Sequence, residues 1–213
     1  IGSIRPQGAA YDLGAYEFIT DEPNATAPSL ITLSADNITA TTALCQTEIA
    51  DTGGSSIIRR GIKISQTEDF NPETTGILFS INEEYFESQY AILASLLSHS
   101  TDYFYRSFAE NRMGKSYGQQ EYFKTNYMKP DTNGIFYISE NGSGEGSSWA
   151  NALNGKDLQA SINHSSTKQI WIGEGIYKPN SWPRGGSIQR EMHFSLKNNR
   201  SEERRVGKEC RSR

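Results

Sequence analysis

Short runs of β-branched and aromatic residues alternate with turn residues between positions 28 and 126, and this spacing constrains the fold more than any other feature of the 213-residue chain. Runs of this kind predict strands, and their regular separation by turn signals is typical of an antiparallel two-sheet sandwich. The sequence therefore predicts an all-β unit. Its seven predicted strands cover residues 29–34, 37–49, 57–65, 76–81, 91–97, 101–111 and 118–125.

The segment 101–111 alternates with a period of two, and successive residues of a strand point to opposite faces of a sheet. One face of this strand must therefore be the core. The first face carries Tyr103, Tyr105, Ser107 and Ala109, and the second carries Phe104, Arg106 and Phe108. In the segment 37–49, Cys45 occupies an inward position beside Ala43, which predicts a buried thiol.

The residues around this strand resemble bacterial fibronectin type III modules, which are immunoglobulin-like sandwiches. In that family a Leu-x-Pro-x-Thr-x-Tyr segment enters strand F, and its Tyr forms the tyrosine corner. Leu97, Thr101 and Tyr103 match the segment here, with 98–100 in place of the Pro-containing step. The resemblance covers residues 28–126. It implies a spacer or binding scaffold, and the absence of an Arg-Gly-Asp tripeptide gives no support to integrin-type adhesion.

Both flanks resemble a second family, the right-handed parallel β-helices (pectin-lyase-like) of bacterial surface proteins. The Asp-Leu-Gly-Ala-Tyr-Glu string at 12–17 resembles the end of such a domain, which assigns residues 1–22 to it. Residues 134–199 resemble the N-terminal cap and first rungs of another. The strings that carry this second resemblance lie at 136–138, 141–144, 148–153, 158–162, 170–172 and 175–179.

An apolar stripe in the second flank fits that interpretation on physical grounds. Leu153, Leu158 and Ile162 form the stripe, with the last two one helical turn apart, so a short helix is expected to cover the open end of a first coil. The string 170–172 is then a first rung strand. Because roughly three repeats are needed before stacking stabilises a solenoid, we expect this piece to be weakly stable alone.

The last fourteen positions, 200–213, form a dense charged string that resembles a translated short-read sequencing adapter. We therefore expect 200–213 to be a non-native tail. Two polar, Pro-containing joints, at 21–28 and 126–134, separate the three native zones.

Composition excludes several classes of function. A net charge of −4 gives no electrostatic reason to expect nucleic acid as a partner. The longest apolar run, 91–97, is far shorter than a transmembrane segment. The three histidines, His99, His164 and His193, are scattered along the chain, and the sequence lacks zinc-ligand spacing. No catalytic residue and no cofactor are therefore predicted.

Two further sets of residues are weaker candidates for ligand binding, and a third set is expected to have no role in a site. The loop 141–148 has carbonyl groups and Glu145 that could bind Ca²⁺, but it lacks the acidic spacing of a dedicated calcium loop. Trp182, beside Pro183, is the one candidate for a glycan contact, whereas core or capping positions are expected for Trp149 and Trp171. The remaining carboxylates are expected in a solenoid end or on a solvated face: Asp12, Glu17, Glu83, Glu84 and Glu87.

These observations favour a non-catalytic structural or adhesive segment of a secreted or cell-surface multidomain bacterial protein. Extracellular polysaccharide or cell-surface components are the expected partners. Two alternatives remain open. One is a polysaccharide lyase or hydrolase whose catalytic rungs lie outside these residues, and the other is a glycan-binding module.

Overall fold

A computed structural model of the chain describes residues 24–81, 87–179 and 194–195. The interpretations of 1–22 as a β-helix end and of 200–213 as a non-native tail lie outside these residues. So do Trp182, His193 and the carboxylates of Asp12, Glu17, Glu83 and Glu84. In the described part, no helix has the length and apolar character needed to span a membrane.

The predicted immunoglobulin-like sandwich is confirmed by the order of its strands. One sheet has the order β1-β2-β5; in the other, β4, β3 and β6 are adjacent and both β7 and β8 pair with β6. All of these pairings are antiparallel. The strands are β1 (Ser29–Thr32), β2 (Ala43–Asp51), β3 (Arg59–Ser65), β4 (Ile77–Ile81), β5 (Gln89–Ala94), β6 (Asp102–Asn111), β7 (Gly114–Tyr117) and β8 (Glu121–Lys124).

The core lies on the first of the two faces of β6. Tyr103, Tyr105, Ser107 and Ala109 are all buried, and the Tyr105 hydroxyl donates to the Leu33 carbonyl. Phe108, on the opposite face, is buried as well. Its ring occupies the space above Gly61 of β3, where an added Cβ would lie only 2.6 Å from the Phe108 Cε1 atom.

One predicted strand is wrong at its start. The β-branched segment 37–42 forms a loop, and β2 begins only at Ala43. Two local features explain the difference. Asn37 has a left-handed φ of 46°, and the Thr39 side-chain oxygen accepts hydrogen bonds from the Thr41 and Thr42 amides. A side chain that captures nearby amides in this way competes with the strand ladder.

The last predicted strand, 118–125, is also wrong at its start, since β8 begins only at Glu121. The chain leaves the sheet between β7 and β8, and there the Gln119 side chain donates to the Thr32 carbonyl and accepts from the Thr32 amide. Gly118 permits this approach, because a Cβ at that position would lie 2.4 Å from the Thr32 Oγ1 atom. The Gln119 amide therefore joins the edge of one sheet to β1 of the other.

The tyrosine corner is confirmed. The Ser98 amide donates to the Tyr103 hydroxyl oxygen over 2.9 Å, although Ser98 to Ser100 replace the Pro-containing step of the family. The hydroxyl ties the segment before β6 to the strand itself, which sets the direction in which the chain enters the sheet.

Replacing Tyr103 by Phe is expected to lower the free energy of unfolding by about 1 kcal/mol, because the Ser98 amide loses its partner while the ring stays packed. Urea denaturation measures the change. Tyr122→Phe is the matched control, since the Tyr122 hydroxyl bonds to Asp102 on the exposed surface. Equal effects for the two variants would contradict a special role for the corner.

Cys45 is fully buried, as predicted, and burial raises the pKa of its thiol to about 12. The chain has a second cysteine, Cys210, which is replaced by serine so that only Cys45 can react. In this variant, Cys45 is expected to resist a thiol reagent at pH 8 until the protein unfolds, because only the thiolate reacts. Folding raises this pKa above its ordinary value of 9.0, so the thiol's contribution to stability is constant below pH 9 and declines above it. Rapid labelling of the folded protein would contradict the burial.

A smaller sheet and a helix follow the sandwich. Their elements are β9 (Ile135–Ser139), β10 (Leu153–Asn154), a 3₁₀ turn (Gly155–Asp157), α1 (Leu158–Asn163) and β11 (Gln169–Ile172). β9 lies in the middle and pairs in parallel with both β10 and β11. The predicted apolar stripe is buried, and it packs with Phe136 and Ile138 of β9. The predicted short helix and strand are thereby confirmed in this second unit.

Candidate functional site

A buried carboxylate connects the second unit to the sandwich. Asp157 is 1% exposed and immediately precedes α1, yet its side chain does not cap that helix. It reaches instead to residues 39–41, in the loop before β2. This contact between residues more than a hundred positions apart was not predicted from the sequence.

Four donors from that loop surround the carboxylate. The Thr39 and Thr41 hydroxyls donate to Asp157 Oδ1 over 2.8 and 2.7 Å, and the Thr41 amide donates to the same atom over 2.9 Å. The Ala40 amide donates to Oδ2 over 3.1 Å. Consecutive amides that point into one concavity form an anion-binding nest, and a buried carboxylate requires such donors to offset its lost hydration. We call this arrangement the Asp157 clasp.

The apolar core of the second unit also includes residues from outside it. Ala40 of the sandwich loop and Met128 of the connecting segment are buried in one cluster with Phe136, Ile138 and Leu158. The connecting segment is held as well, because the Asn126 amide donates to the Thr39 carbonyl and the Asn126 side chain donates to the Ile38 carbonyl, each over 2.9 Å. The connection between the two units is therefore packed and hydrogen-bonded.

Two of the three histidines meet at this junction, although they are far apart in sequence. The rings of His99 and His164 have centroids 6.0 Å apart, and His164 lies edge-on to Phe136 at 5.3 Å. Within the described ranges, no group of three or more His, Cys, Asp and Glu side chains could hold a metal ion. Through these ring contacts the two histidines contribute packing to the junction.

An open cleft of about 460 Å³ lies beside the junction. It is lined by Asn126, Tyr127, Lys129, Ser143, Gly144 and Glu145. Glu145, the predicted Ca²⁺ candidate, accepts a hydrogen bond of 2.6 Å from the Ser147 hydroxyl, which holds the pKa of its carboxyl below the usual range. Glu87, expected on a solvated face, is exposed.

Trp149 occupies a different environment from the one predicted. A core or capping position was expected, but the side chain is 44% exposed and lies edge-on to Tyr137, with centroids 5.3 Å apart. Tyr137 in turn contacts Trp171 at 5.4 Å. Since Phe136 and Ile138 point into the core, the pleat of β9 places Tyr137 on the outer face of the sheet. The three rings therefore form an outer aromatic cluster.

No protein-family model matches the chain. No curated relative matches it either. Solved structures do match. The sensor domain of the anti-sigma factor RsgI4 in Pseudobacteroides cellulosolvens is 20% identical, with 47% of this chain and 96% of that chain covered and a TM-score of 0.36.

Two human domains match this chain with similarly low sequence identities and TM-scores. For a domain described as the fourth FNIII domain, the identity is 14%, the coverage is 56% of this chain and 98% of that chain, and the TM-score is 0.41. For the fibronectin type III domain of the KIAA0970 protein, the identity is 22%, the coverage is 51% and 77%, and the TM-score is 0.33. Sequence identities and TM-scores this low carry no functional information. The fold is defined by the strand order of the chain itself.

Proposed function

We propose that this chain is a non-catalytic structural segment of a secreted or cell-surface multidomain bacterial protein. In this role the fibronectin type III-like sandwich holds the following unit at a fixed orientation. The observation that supports the proposal is the Asp157 clasp, in which one buried side chain of the second unit accepts four hydrogen bonds from a sandwich loop.

The composition of the junction favours rigidity over a flexible linker. Units joined by a small polar interface usually move relative to each other, whereas a shared apolar core resists such motion. Here Ala40 and Met128 complete the core of the second unit. Hinge motion would have to expose this cluster and break the clasp together, so the two units should reorient as one body.

We further propose that the second unit begins a parallel β-helix. Its support is the pairing of β9 with β11, in which Gln169 lies opposite Ile135 and Ile172 opposite Ile138 with unbroken register. Successive coils of a solenoid stack their strands in this way, and each coil contacts only its neighbours. The clasped sandwich loop would then cover one end of the solenoid.

Residual dipolar couplings of the whole chain test the rigid junction. Amide couplings from β2, β3 and β6 and those from β9 and β11 are expected to fit a single alignment tensor. Two independent tensors of different magnitude would overturn the proposal.

Protease treatment of intact source cells tests the location, since a surface segment is cleaved without lysis and an internal one is not.

A further inference from the structure

The cleft beside the junction has fixed walls. One wall is the segment 126–129, which Asn126 anchors to the sandwich. The other is the loop 143–145, which a hydrogen bond from the Gly144 amide to the Ala152 carbonyl holds in place over 2.9 Å. The Lys129 amide donates to the Glu145 carbonyl over 2.8 Å and so joins the walls. A ligand that binds here meets a preformed site and incurs little cost in ordering it.

The cleft presents one aromatic ring among polar groups. Tyr127 is 55% exposed, and its ring packs edge-on against His99 with centroids 6.3 Å apart, which fixes the ring while much of it faces solvent. The other lining groups are an amide, an ammonium, a hydroxyl, a glycine backbone and a carboxylate. The lining mixes polar and apolar surface in similar amounts and is open to solvent, so it suits a ligand with both polar groups and an apolar face better than a wholly apolar molecule.

This combination suits a sugar. A pyranose ring has a face of C–H groups that packs on an aromatic ring, while its hydroxyls require hydrogen-bond donors and acceptors around the rim. The Glu145 carboxylate and the Lys129 ammonium supply an acceptor and donors of opposite charge, so their charges offset each other in the cleft. The net charge of the whole chain, −4, disfavours a polyanion.

We propose that this cleft binds a neutral oligosaccharide, with one sugar ring packed on Tyr127 and its hydroxyl groups bonded to Glu145 and Lys129. The proposal goes beyond the structural role, because the clasp depends on Asp157 and the cleft depends on Tyr127. The two ideas can therefore fail separately.

The test is isothermal titration of the whole chain with three probes at millimolar concentration: cellohexaose, chitohexaose and hexagalacturonate. At least one neutral hexasaccharide is expected to bind. Tyr127→Ala is expected to weaken that binding about tenfold, which corresponds to about 1.4 kcal/mol. Tyr127→Phe should retain most of the affinity, because the ring is kept.

Tyr122→Ala is the matched control, since Tyr122 is similarly exposed at 52% but lies on β8 of the sandwich. It should leave the affinity unchanged. Urea unfolding of each variant establishes that the cleft is still folded. Three results would overturn the proposal: no binding of either neutral probe, equal binding by wild type and Tyr127→Ala, or tighter binding of hexagalacturonate.

Discussion

Replacing Asp157 by alanine is expected to lower the free energy of unfolding by about 3 kcal/mol, because four donors of the sandwich loop lose their acceptor in a buried site. The Thr39 hydroxyl keeps one hydrogen-bond partner in this variant, since it also contacts the Thr42 hydroxyl at 2.9 Å. The Thr41 amide also donates to the Thr39 side-chain oxygen over 3.2 Å, whereas the Ala40 amide has no such substitute in the clasp. Urea denaturation of the whole chain measures the loss.

Asp157→Asn separates charge from shape. The amide oxygen can replace Oδ1 and keep three hydrogen bonds, but the amide nitrogen then faces the Ala40 amide, donor against donor. The free energy of unfolding of Asp157→Asn should therefore lie between those of the wild type and Asp157→Ala. Thr41→Val removes a single hydroxyl donor and should cost about 1 kcal/mol.

Hydrogen exchange locates the effect of Asp157→Ala. Protection is expected to fall in β9 and β11, whereas β2, β3 and β6 keep theirs, because the sandwich has its own core. An unchanged unfolding midpoint, or a uniform loss of protection across both units, would contradict the clasp. Weak stability was expected from sequence for an isolated second unit because it holds too few repeats, and the structure adds a second reason, since Ala40 of the sandwich loop is part of its core.

Replacing Asn111 by alanine is expected to cost about 3 kcal/mol as well, at the opposite end of the sandwich. Asn111 is 2% exposed and ends β6. Its amide nitrogen donates to the Thr26 and Thr52 carbonyls over 2.7 and 2.9 Å. Its oxygen accepts from the Met113 and Gly114 amides. One side chain thus joins the incoming chain, the turn after β2 and the turn after β6.

Asn111→Asp is the informative companion variant. It retains an acceptor for the Met113 amide, but it places a second carboxylate oxygen against the Thr26 and Thr52 carbonyls. Its destabilisation should be greatest when the carboxyl is ionised and should shrink at acidic pH, because a protonated carboxyl can donate once. Thermal unfolding at neutral and acidic pH measures the difference. A stability equal to wild type at neutral pH would contradict the assignment of the amide orientation.

Local patterns predicted the parts of the fold that depend on neighbouring residues. The period of two in 101–111 placed Tyr103, Tyr105, Ser107 and Ala109 on one face, which the structure shows to be buried, and the resemblance carried by Leu97, Thr101 and Tyr103 implied the corner. The alternation follows from the geometry of a single strand. The apolar stripe on α1 was likewise predicted from residues close in sequence, since Leu158 and Ile162 lie one helical turn apart.

The site depends on contacts that no local pattern contains. An Asp before a helix predicts an N-cap, but Asp157 bonds to a loop at 39–41. The threonines of that loop have high strand propensity, and local hydrogen bonds to the Thr39 side chain together with tertiary ones to Asp157 override it. Trp149 was expected in a core or capping position, whereas in the structure its side chain is 44% exposed.

The break between β7 and β8 affects how copies of this protein meet. An unpaired sheet edge is a template on which another chain can add a strand, and long, flat edges lead to aggregation. Here the edge beside β6 consists of two strands of four residues each, and the backbone between them is turned toward β1. Neither piece offers a continuous ladder to a neighbour. Copies crowded side by side should therefore remain separate along this edge.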